Sequence, residues 1–239
     1  MSASLSADSP PGNRHGRLRT VVFAFVAITL AGVAFLAHAI SEIHQEPIRR
    51  SQEDLNRQLI SLRAGQTKSV HLYETIRTNA LLEQLEGMAE VEELNLELTD
   101  VSDAGMESVA TLPRLRKLVI HGGRYGVSNQ GLAILKGKQS LETLELTNTK
   151  VTDDGLKVLR ELPNLRALTL YYEPLRGERL TDAGLVHLKK LPKLKSLTLT
   201  GGWASAKAVA DLQATLPHCE VNRGGEAEGT RVNKTQRRP

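Results

Sequence analysis

The chain has 239 residues, 40% of them hydrophobic, and a formal net charge of +4, which is enough length and apolar content for one folded domain. Only 3% of the residues are aromatic, and all three Phe lie in one N-terminal apolar run, so the remaining core must be built from Leu and Val. The basic excess is concentrated near the termini, which argues against a nucleic-acid-binding fold. The single cysteine, Cys219, excludes an internal disulfide and a cysteine-rich zinc site.

The N-terminal region contains a segment suited to a membrane. Residues 1–19 are rich in Ser, Pro and Gly and are predicted to be a disordered cytoplasmic N-terminus. Residues 20–40 are predicted to form a transmembrane signal-anchor helix, because an uncharged helix of this length spans roughly the 30 Å hydrocarbon layer. Arginines precede this run, so everything after Ile40 is expected on the exported side, periplasmic or extracellular. Cleavage after Ala39 would instead release a secreted repeat protein, and this alternative stays open.

A charged stretch at residues 41–65 follows the apolar run. Pro47 suits a first helical turn, and Gly65 suits a stop. One face of the intervening helix would carry Ile48, Leu55, Leu59 and Leu62. The segment can be interpreted as a spacer or dimerising stalk, or as a cap over the first repeat's open core. The capping helix is favoured because terminal repeats need a cover.

The rest of the chain is repetitive, and its pattern is plainest in residues 141–164. Strand-like apolar pairs recur in steps of 24, 24, 26, 24 and 29 residues. The pairs are Val70/Leu72, Leu94/Leu96, Leu118/Ile120, Leu144/Leu146, Leu168/Leu170 and Leu197/Leu199. Each strand is followed by a short motif such as Thr152-Asp153-Asp154-Gly155-Leu156, in which the Thr or Ser is predicted to cap a helix and Asp to face its dipole. A Leu-Pro pair such as Leu162-Pro163 then ends the helix.

These three markers resemble the leucine-rich repeat family, in the pattern LxxLxLxxTxVTDxGLxxLxxLPx. The resemblance is closest to the cysteine-containing branch known from F-box proteins and to similar bacterial repeat proteins, although Thr99 and Thr149 stand at the cysteine position. It implies an α/β leucine-rich repeat solenoid over residues 66–222, a short right-handed arc with parallel strands inside and helices outside, preceded by one transmembrane helix. No ubiquitin-ligase role is expected, since the segment ahead of the repeats is predicted to be a membrane helix and a short charged linker. Residues 223–239 are predicted to be a disordered tail.

No catalytic, cofactor-binding or metal-binding arrangement is recognisable, so we predict that the protein is not an enzyme. The histidines after the apolar run lack metal-ligand spacing, and Asp153 and Asp154 are better explained by helix capping. The glycine pairs at 122–123 and 201–202 lack the Lys-Ser/Thr partner of a phosphate loop. The sequence therefore predicts no cofactor, no metal and no nucleic-acid partner.

The side chains between the buried strand leucines are expected to face outward and to form a binding surface. The longer repeats place their extra residues between strand and helix, in loops that emerge at one rim and hold most of the aromatic residues outside the membrane segment. Tyr, Trp and Arg are enriched in binding hot spots, although loops also simply tolerate insertions. The candidate protein-binding residues are Glu97, His121, Arg124, Tyr125, Tyr171, Tyr172, Arg176 and Trp203. The predicted function is therefore membrane-anchored, non-enzymatic binding of a protein partner on the exported side. The alternative is a structural envelope protein that self-associates.

Overall fold

The computed structural model describes residues 45–74, 78–122, 126–173 and 180–224. The chain forms two compact units, Met1–Glu46 and Pro47–Pro239, and only two described residues belong to the first. Within the described ranges no helix is both long and apolar enough to cross a membrane. The predicted membrane segment at 20–40 and the predicted disordered N-terminus lie outside these ranges.

The second unit is built on a seven-stranded sheet whose strands follow one another in chain order. The strands are β1 (Ser69–Tyr73), β2 (Glu93–Glu97), β3 (Lys117–His121), β4 (Thr143–Thr147), β5 (Ala167–Tyr171), β6 (Ser196–Thr200) and β7 (Glu220–Arg223). Every neighbouring pair is parallel, and the predicted apolar pairs lie side by side, for example Leu144 beside Leu168. The six predicted strands are confirmed. The sequence interpretation missed β7, which extends to Arg223 and thus into the predicted disordered tail.

A helical segment leads from each strand toward the next. Residues 45–63 form helix α1 ahead of the sheet. The later segments are α2 (Thr78–Glu83), α3 (Asp103–Thr111), α4 (Asn129–Ala133), a 3₁₀ helix (Gly155–Glu161), α5 (Leu185–Leu188) and α6 (Ala206–Thr215). Most are short because a Leu-Pro pair or a glycine ends them after one or two turns. The architecture is an α/β repeat stack, as the sequence predicts.

One continuous apolar core lies between the sheet and the helices. Leu144, Leu146 and Leu159 are fully buried, as are their counterparts in the neighbouring repeats. The core extends from α1, where Leu55 and Leu62 are at most 1% exposed, to Cys219 at 3%. Burial raises the pKa of the Cys219 thiol, so this residue acts as a small core hydrophobe.

The Asp of the helix-start motif has a role beyond the predicted interaction with the helix dipole. The Asp153 carboxylate accepts hydrogen bonds from the backbone N–H and the hydroxyl of Thr181, at 2.9 and 2.6 Å, and so joins one repeat to the next. The other four clamps of this kind are Asn79–Ser102, Asp103–Ser128, Asn129–Thr152 and Asp182–Ser205. The glycine of the motif leaves room for this clamp, because a Cβ on Gly155 would overlap with the Asn129 side chain. The predicted Ser caps are confirmed at Ser128 and Ser205, which also accept from helix N–H groups. At Ser102 the prediction is wrong, because its side chain makes no cap hydrogen bond.

Both edges of the sheet are closed by a glutamine side chain. On β1 the Gln58 amide from α1 accepts from the His71 N–H and donates to the His71 carbonyl, each at 2.7 Å. On β7 the Gln213 amide accepts from the Val221 N–H at 3.1 Å and donates to the Cys219 carbonyl at 2.9 Å. Each glutamine occupies backbone groups to which a further strand would bind, so the sheet ends at these positions.

Candidate functional site

The candidate site is the open face of the sheet, where the side chains that alternate with the buried leucines point away from the helices. These residues are mostly partly exposed, whereas the leucines between them are buried. Glu97 and His121 lie on this face at the ends of β2 and β3, as predicted, and both are partly exposed. Val119 differs, because it is only 6% exposed between its neighbours on β2 and β4.

The face is polar, with more acidic than basic groups on its first four strands. The Asn95 amide donates to the Glu97 carboxylate at 2.7 Å. Lys117 forms an ion pair with Glu145 at 3.7 Å. The Asn95 Oδ1 atom is buried and has no hydrogen-bond partner in the part of the chain that the structure describes. Strands β4–β6 contribute mainly Thr and Ser hydroxyls instead, so the face combines charged and neutral hydrogen-bonding groups.

The strand-end rim, where the chain leaves the strands, has unusual backbone geometry. Glu74, Leu98 and Asn148 follow β1, β2 and β4 at equivalent positions, and all three have φ near +50°. Such a left-handed conformation costs a residue with a Cβ roughly 1–2 kcal/mol, and Asn tolerates it better than Leu. Asn148 also gains a contact, because its Oδ1 accepts from the Glu173 N–H at 2.9 Å. Leu98 is therefore the least expected residue of the three.

Leu98 is also exposed, and it lies beside an exposed aromatic residue. The exposed fractions are 52% for Leu98 and 58% for Tyr73. Tyr73 pairs with Glu97 across β1 and β2, so Leu98 follows directly at the same corner. The negative charge of the Glu74 carboxylate raises the pKa of the Tyr73 hydroxyl. The sequence interpretation missed this corner because no longer loop marks it. The signals available were a Leu outside the repeat pattern and a Tyr at a strand end.

A cleft of about 470 Å³ adjoins the same corner, between α1 and the end of β1. It is lined by Pro47, Arg50, Ser51, Glu53, Asp54, Arg57, Tyr73 and Glu74. Arg57 pairs with Asp54 at 2.9 Å, so part of its charge is already balanced within the protein. The cleft extends the exposed corner from the sheet onto the capping helix.

The two adjacent tyrosines at the end of β5 have opposite environments. Tyr171 is partly exposed on the open face, and its hydroxyl donates to Glu173 at 3.2 Å. Burial raises the pKa of the Tyr171 hydroxyl. Tyr172 is only 6% exposed, and its hydroxyl is 2.5 Å from the Thr149 hydroxyl. The prediction that Tyr172 belongs to the binding rim is therefore wrong: successive residues point to opposite faces, and this one fills the core.

Trp203 is partly buried and packs against the core, so it presents less surface than predicted. Its indole Nε1–H is buried and has no acceptor among the described residues. The other predicted site residues, Arg124, Tyr125 and Arg176, lie outside the described ranges. The structure thus assembles Glu97, His121 and Tyr171 on one face, adds Tyr73 and Leu98, and removes Tyr172.

The described residues do not form an evident catalytic or metal site. No group of three or more His, Cys, Asp or Glu side chains in these ranges is arranged to hold a metal ion. His187 lies on the helix side, where its ring contacts the Arg160 guanidinium. Burial, followed by the Arg160 charge, lowers the pKa of His187, so its ring is neutral near pH 7. The arrangement serves packing between repeats.

Comparison with known proteins agrees with this architecture. Residues 91–110 and 137–159 match a family model described as Leucine Rich repeat. These segments contain β2 with all but the last residue of α3, and β4 with most of the 3₁₀ helix. No curated protein sequence matches the chain significantly. The matched repeats and the seven-stranded parallel sheet together support a leucine-rich repeat protein, a class commonly used for protein–protein interaction.

Proposed function

We propose that this leucine-rich repeat protein is a non-enzymatic binding module whose open sheet face and adjoining strand-end rim contact a protein partner. The partner would lie across Glu97, His121 and Tyr171, with Tyr73 and Leu98 as apolar anchors at one corner. Aromatic and large apolar anchors surrounded by polar groups are typical of interface hot spots. The F-box subtype is not part of this proposal.

One observation carries the proposal: Leu98 combines a left-handed backbone with a large exposed apolar side chain. The left-handed backbone costs stability at Leu98, and Asn148 shows that the repeat accepts a residue that tolerates this conformation better and exposes no large apolar side chain. Strained residues are concentrated at sites where the strain serves a function. Leu98 directly follows Glu97, the strand partner of exposed Tyr73, at the end of β2. The corner is thus suited to a contact that removes apolar surface from water.

The competing function, a structural protein whose repeats stack end to end, has weaker support. Such stacking needs free strand edges at both ends of the sheet. Gln58 and Gln213 occupy outward backbone groups of β1 and β7, and α1 covers the first edge with Leu55 and Leu62. The closed edges favour a module that binds other molecules through its face.

We further propose that residues 20–40 anchor the chain in the membrane, with the repeats exported. The supporting observation is the uncharged apolar run that follows three arginines. N-terminal mass spectrometry of membrane and soluble fractions tests this, because the anchored form retains residue 1 and stays with the membrane. A mature chain starting at Ile40 in the soluble fraction would show cleavage and a secreted protein instead.

Site-specific photocrosslinking of the full chain in its native cells tests the binding face. A photoreactive amino acid is placed at position 98 or 171, or at two control positions, 60 and 186. Ile60 and Val186 are 68% and 52% exposed and lie on helices rather than on the open face. We expect discrete adducts from positions 98 and 171 only. Equal adduct patterns at all four positions would show that the open face is not the binding surface.

A substitution separates binding from folding at the same corner. Leu98→Asn introduces the residue that the fourth repeat already uses at this position, so the free energy of unfolding should stay the same or rise by up to about 1 kcal/mol. Adducts formed from position 171 should nevertheless fall severalfold, because the apolar anchor is lost. If Leu98→Asn leaves them unchanged, Leu98 is not an anchor.

A further inference from the structure

A second charged surface lies on the opposite rim, where each turn leads from a helix into the next strand; we call it the strand-start rim. In the turns that enter β3 to β6, basic residues greatly outnumber acidic ones. The acidic residues are Glu142 and Glu161. The basic residues are Arg114, Arg116, Lys136, Lys138, Arg160, Arg166, Lys189, Lys190, Lys193 and Lys195. None of these turns contains an aromatic residue.

The contacts place these side chains on one continuous edge. Arg116 and Arg166 both reach the Glu142 carboxylate, at 3.1 and 3.8 Å. Lys136 pairs with Glu161 at 3.7 Å. The turn that leads from α5 into β6 is called the sixth turn. It joins the same edge, because the Lys193 ammonium donates to the Asn164 side chain at 2.6 Å.

Part of this charge has a structural explanation. Cations near helix C-termini are stabilised by the helix dipole. Lys138 shows this role, because its ammonium donates to the Ala110 and Leu112 carbonyls at 2.8 and 2.7 Å. It is half buried, and burial lowers its pKa. Lys138 is therefore used within the fold and does not belong to the exposed basic surface of the strand-start rim.

The sixth turn carries more charge than the fold uses. Lys189, Lys190, Lys193 and Lys195 are all exposed, and within the described ranges none of them pairs with a carboxylate. No acidic residue occurs between positions 183 and 210. The turn that enters β2 has Glu86, Glu90 and Glu92 where the turn that enters β6 has Lys189, Lys193 and Lys195, counted from the paired strand leucines. The repeat geometry accepts either sign, so folding alone does not require four lysines here.

We propose that the lysines of the sixth turn bind the surface of an anionic lipid bilayer. They project from the edge of the molecule rather than from a groove, which suits a flat surface. Lysine presents a compact point charge and suits the mobile phosphates of a membrane, whereas discrete phosphate sites favour the arginine fork. The absence of aromatic residues in these turns removes the stacking on which single-stranded nucleic acid depends.

The test uses a fragment of residues 47–224, which excludes the predicted anchor and the basic tail. This fragment contains the whole described core and both closed sheet edges, so we expect it to fold without the rest of the chain. Its flotation is measured with phosphatidylcholine vesicles, with and without phosphatidylglycerol. We expect binding only to the anionic vesicles, weakening with added salt because exposed charges are screened.

Two variants with the same loss of charge locate the surface. Lys189→Gln/Lys193→Gln/Lys195→Gln should lower partitioning to anionic vesicles by about a hundredfold, since each lysine contributes a factor of about five. The control, Lys150→Gln/Lys157→Gln/Lys207→Gln, removes exposed lysines beyond the strand ends and at helix starts, away from the strand-start rim. It should change partitioning by less than about threefold. Urea unfolding of both variants shows whether the fold is retained.

Three results would overturn the proposal. The first is that the fragment does not bind anionic vesicles. The second is that binding falls equally in the two variants, which would indicate general electrostatic attraction to the membrane without a defined binding surface. Tighter binding to a nucleic-acid duplex than to vesicles would assign the lysines to a soluble polyanion. None of these results affects the crosslinks from position 98, so the open-face function is tested separately.

Discussion

The second repeat, which begins with β2, and the fourth repeat, which begins with β4, have the same length and the same local backbone. They differ in how the hydrogen-bonding needs of their polar groups are satisfied. Thr99 and Thr149 occupy equivalent positions, and both are 2% exposed. The Thr149 hydroxyl is paired with the buried Tyr172 hydroxyl of the next repeat. The Thr99 hydroxyl has no partner among the described residues, because Gly122 stands at the Tyr172 position of its next repeat.

Leu98 and Asn148, the residues directly before these threonines, also differ in whether they bond to the next repeat. Asn148 is bonded to the following repeat, whereas Leu98 is exposed in the same left-handed conformation. The fourth repeat is thus completed by its neighbour, whereas the second repeat leaves an apolar side chain in solvent and a buried oxygen without a partner among the described residues. A shared scaffold can therefore add stability in one copy and present the proposed binding surface in another.

Replacement of the tyrosine that completes the fourth repeat should have the largest effect. Tyr172→Ala removes a buried aromatic side chain and should lower the free energy of unfolding by about 3–5 kcal/mol. Tyr171→Ala is the matched control, since the neighbouring side chain is partly exposed, and should cost less than about 1 kcal/mol. Urea unfolding of the 47–224 fragment measures both. Equal losses would contradict the assignment of the two tyrosines to opposite faces.

The two threonines should respond differently to the same change. Thr149→Val removes the hydrogen bond between the Thr149 and Tyr172 hydroxyls in the core and should cost about 1–2 kcal/mol. Thr99→Val removes a buried oxygen that has no described partner and should be neutral or stabilising by up to about 1 kcal/mol. Equilibrium unfolding in urea compares them. An equal loss in the free energy of unfolding for Thr99→Val and Thr149→Val would contradict the difference between the two repeats.

The clamps between repeats should differ in pH dependence according to whether an Asp or an Asn accepts the hydrogen bonds. The effect on stability should be smaller than that of the tyrosine or the threonine substitutions. Hydrogen bonds from Ser205 lower the pKa of the Asp182 carboxyl. A lowered folded-state pKa stabilises the protein above the unfolded value of about 3.9, and this stabilisation is lost as pH falls through the folded value. Asp182→Asn should therefore flatten the loss of stability in acid, since Asn129 shows that an amide fits the clamp. Unchanged slopes in urea unfolding from neutral to acidic pH would contradict this.

Much of the scaffold followed from the sequence because its signals are local and repeated. Alternation of Leu and polar residues predicted each strand from Val70 to Leu199, and the Leu-Pro pairs predicted the turns back to the sheet. The outward placement of Glu97 and His121 followed from the same period of two. The short strand β7 was missed because a single Val221 replaces the usual Leu pair, and only pairing with β6 reveals it.

The tertiary structure decided what depends on contacts between repeats. The sequence alone determined that strand-helix units of about 24 residues recur and must stack, because one unit cannot bury its own apolar face. It did not show that Asp153 reaches the next repeat rather than its own helix. Nor did it show that Tyr172 turns into the core while Leu98 stays in solvent. These outcomes depend on which atoms of a neighbouring repeat lie within hydrogen-bond or van der Waals distance, and only the assembled stack brings those atoms together.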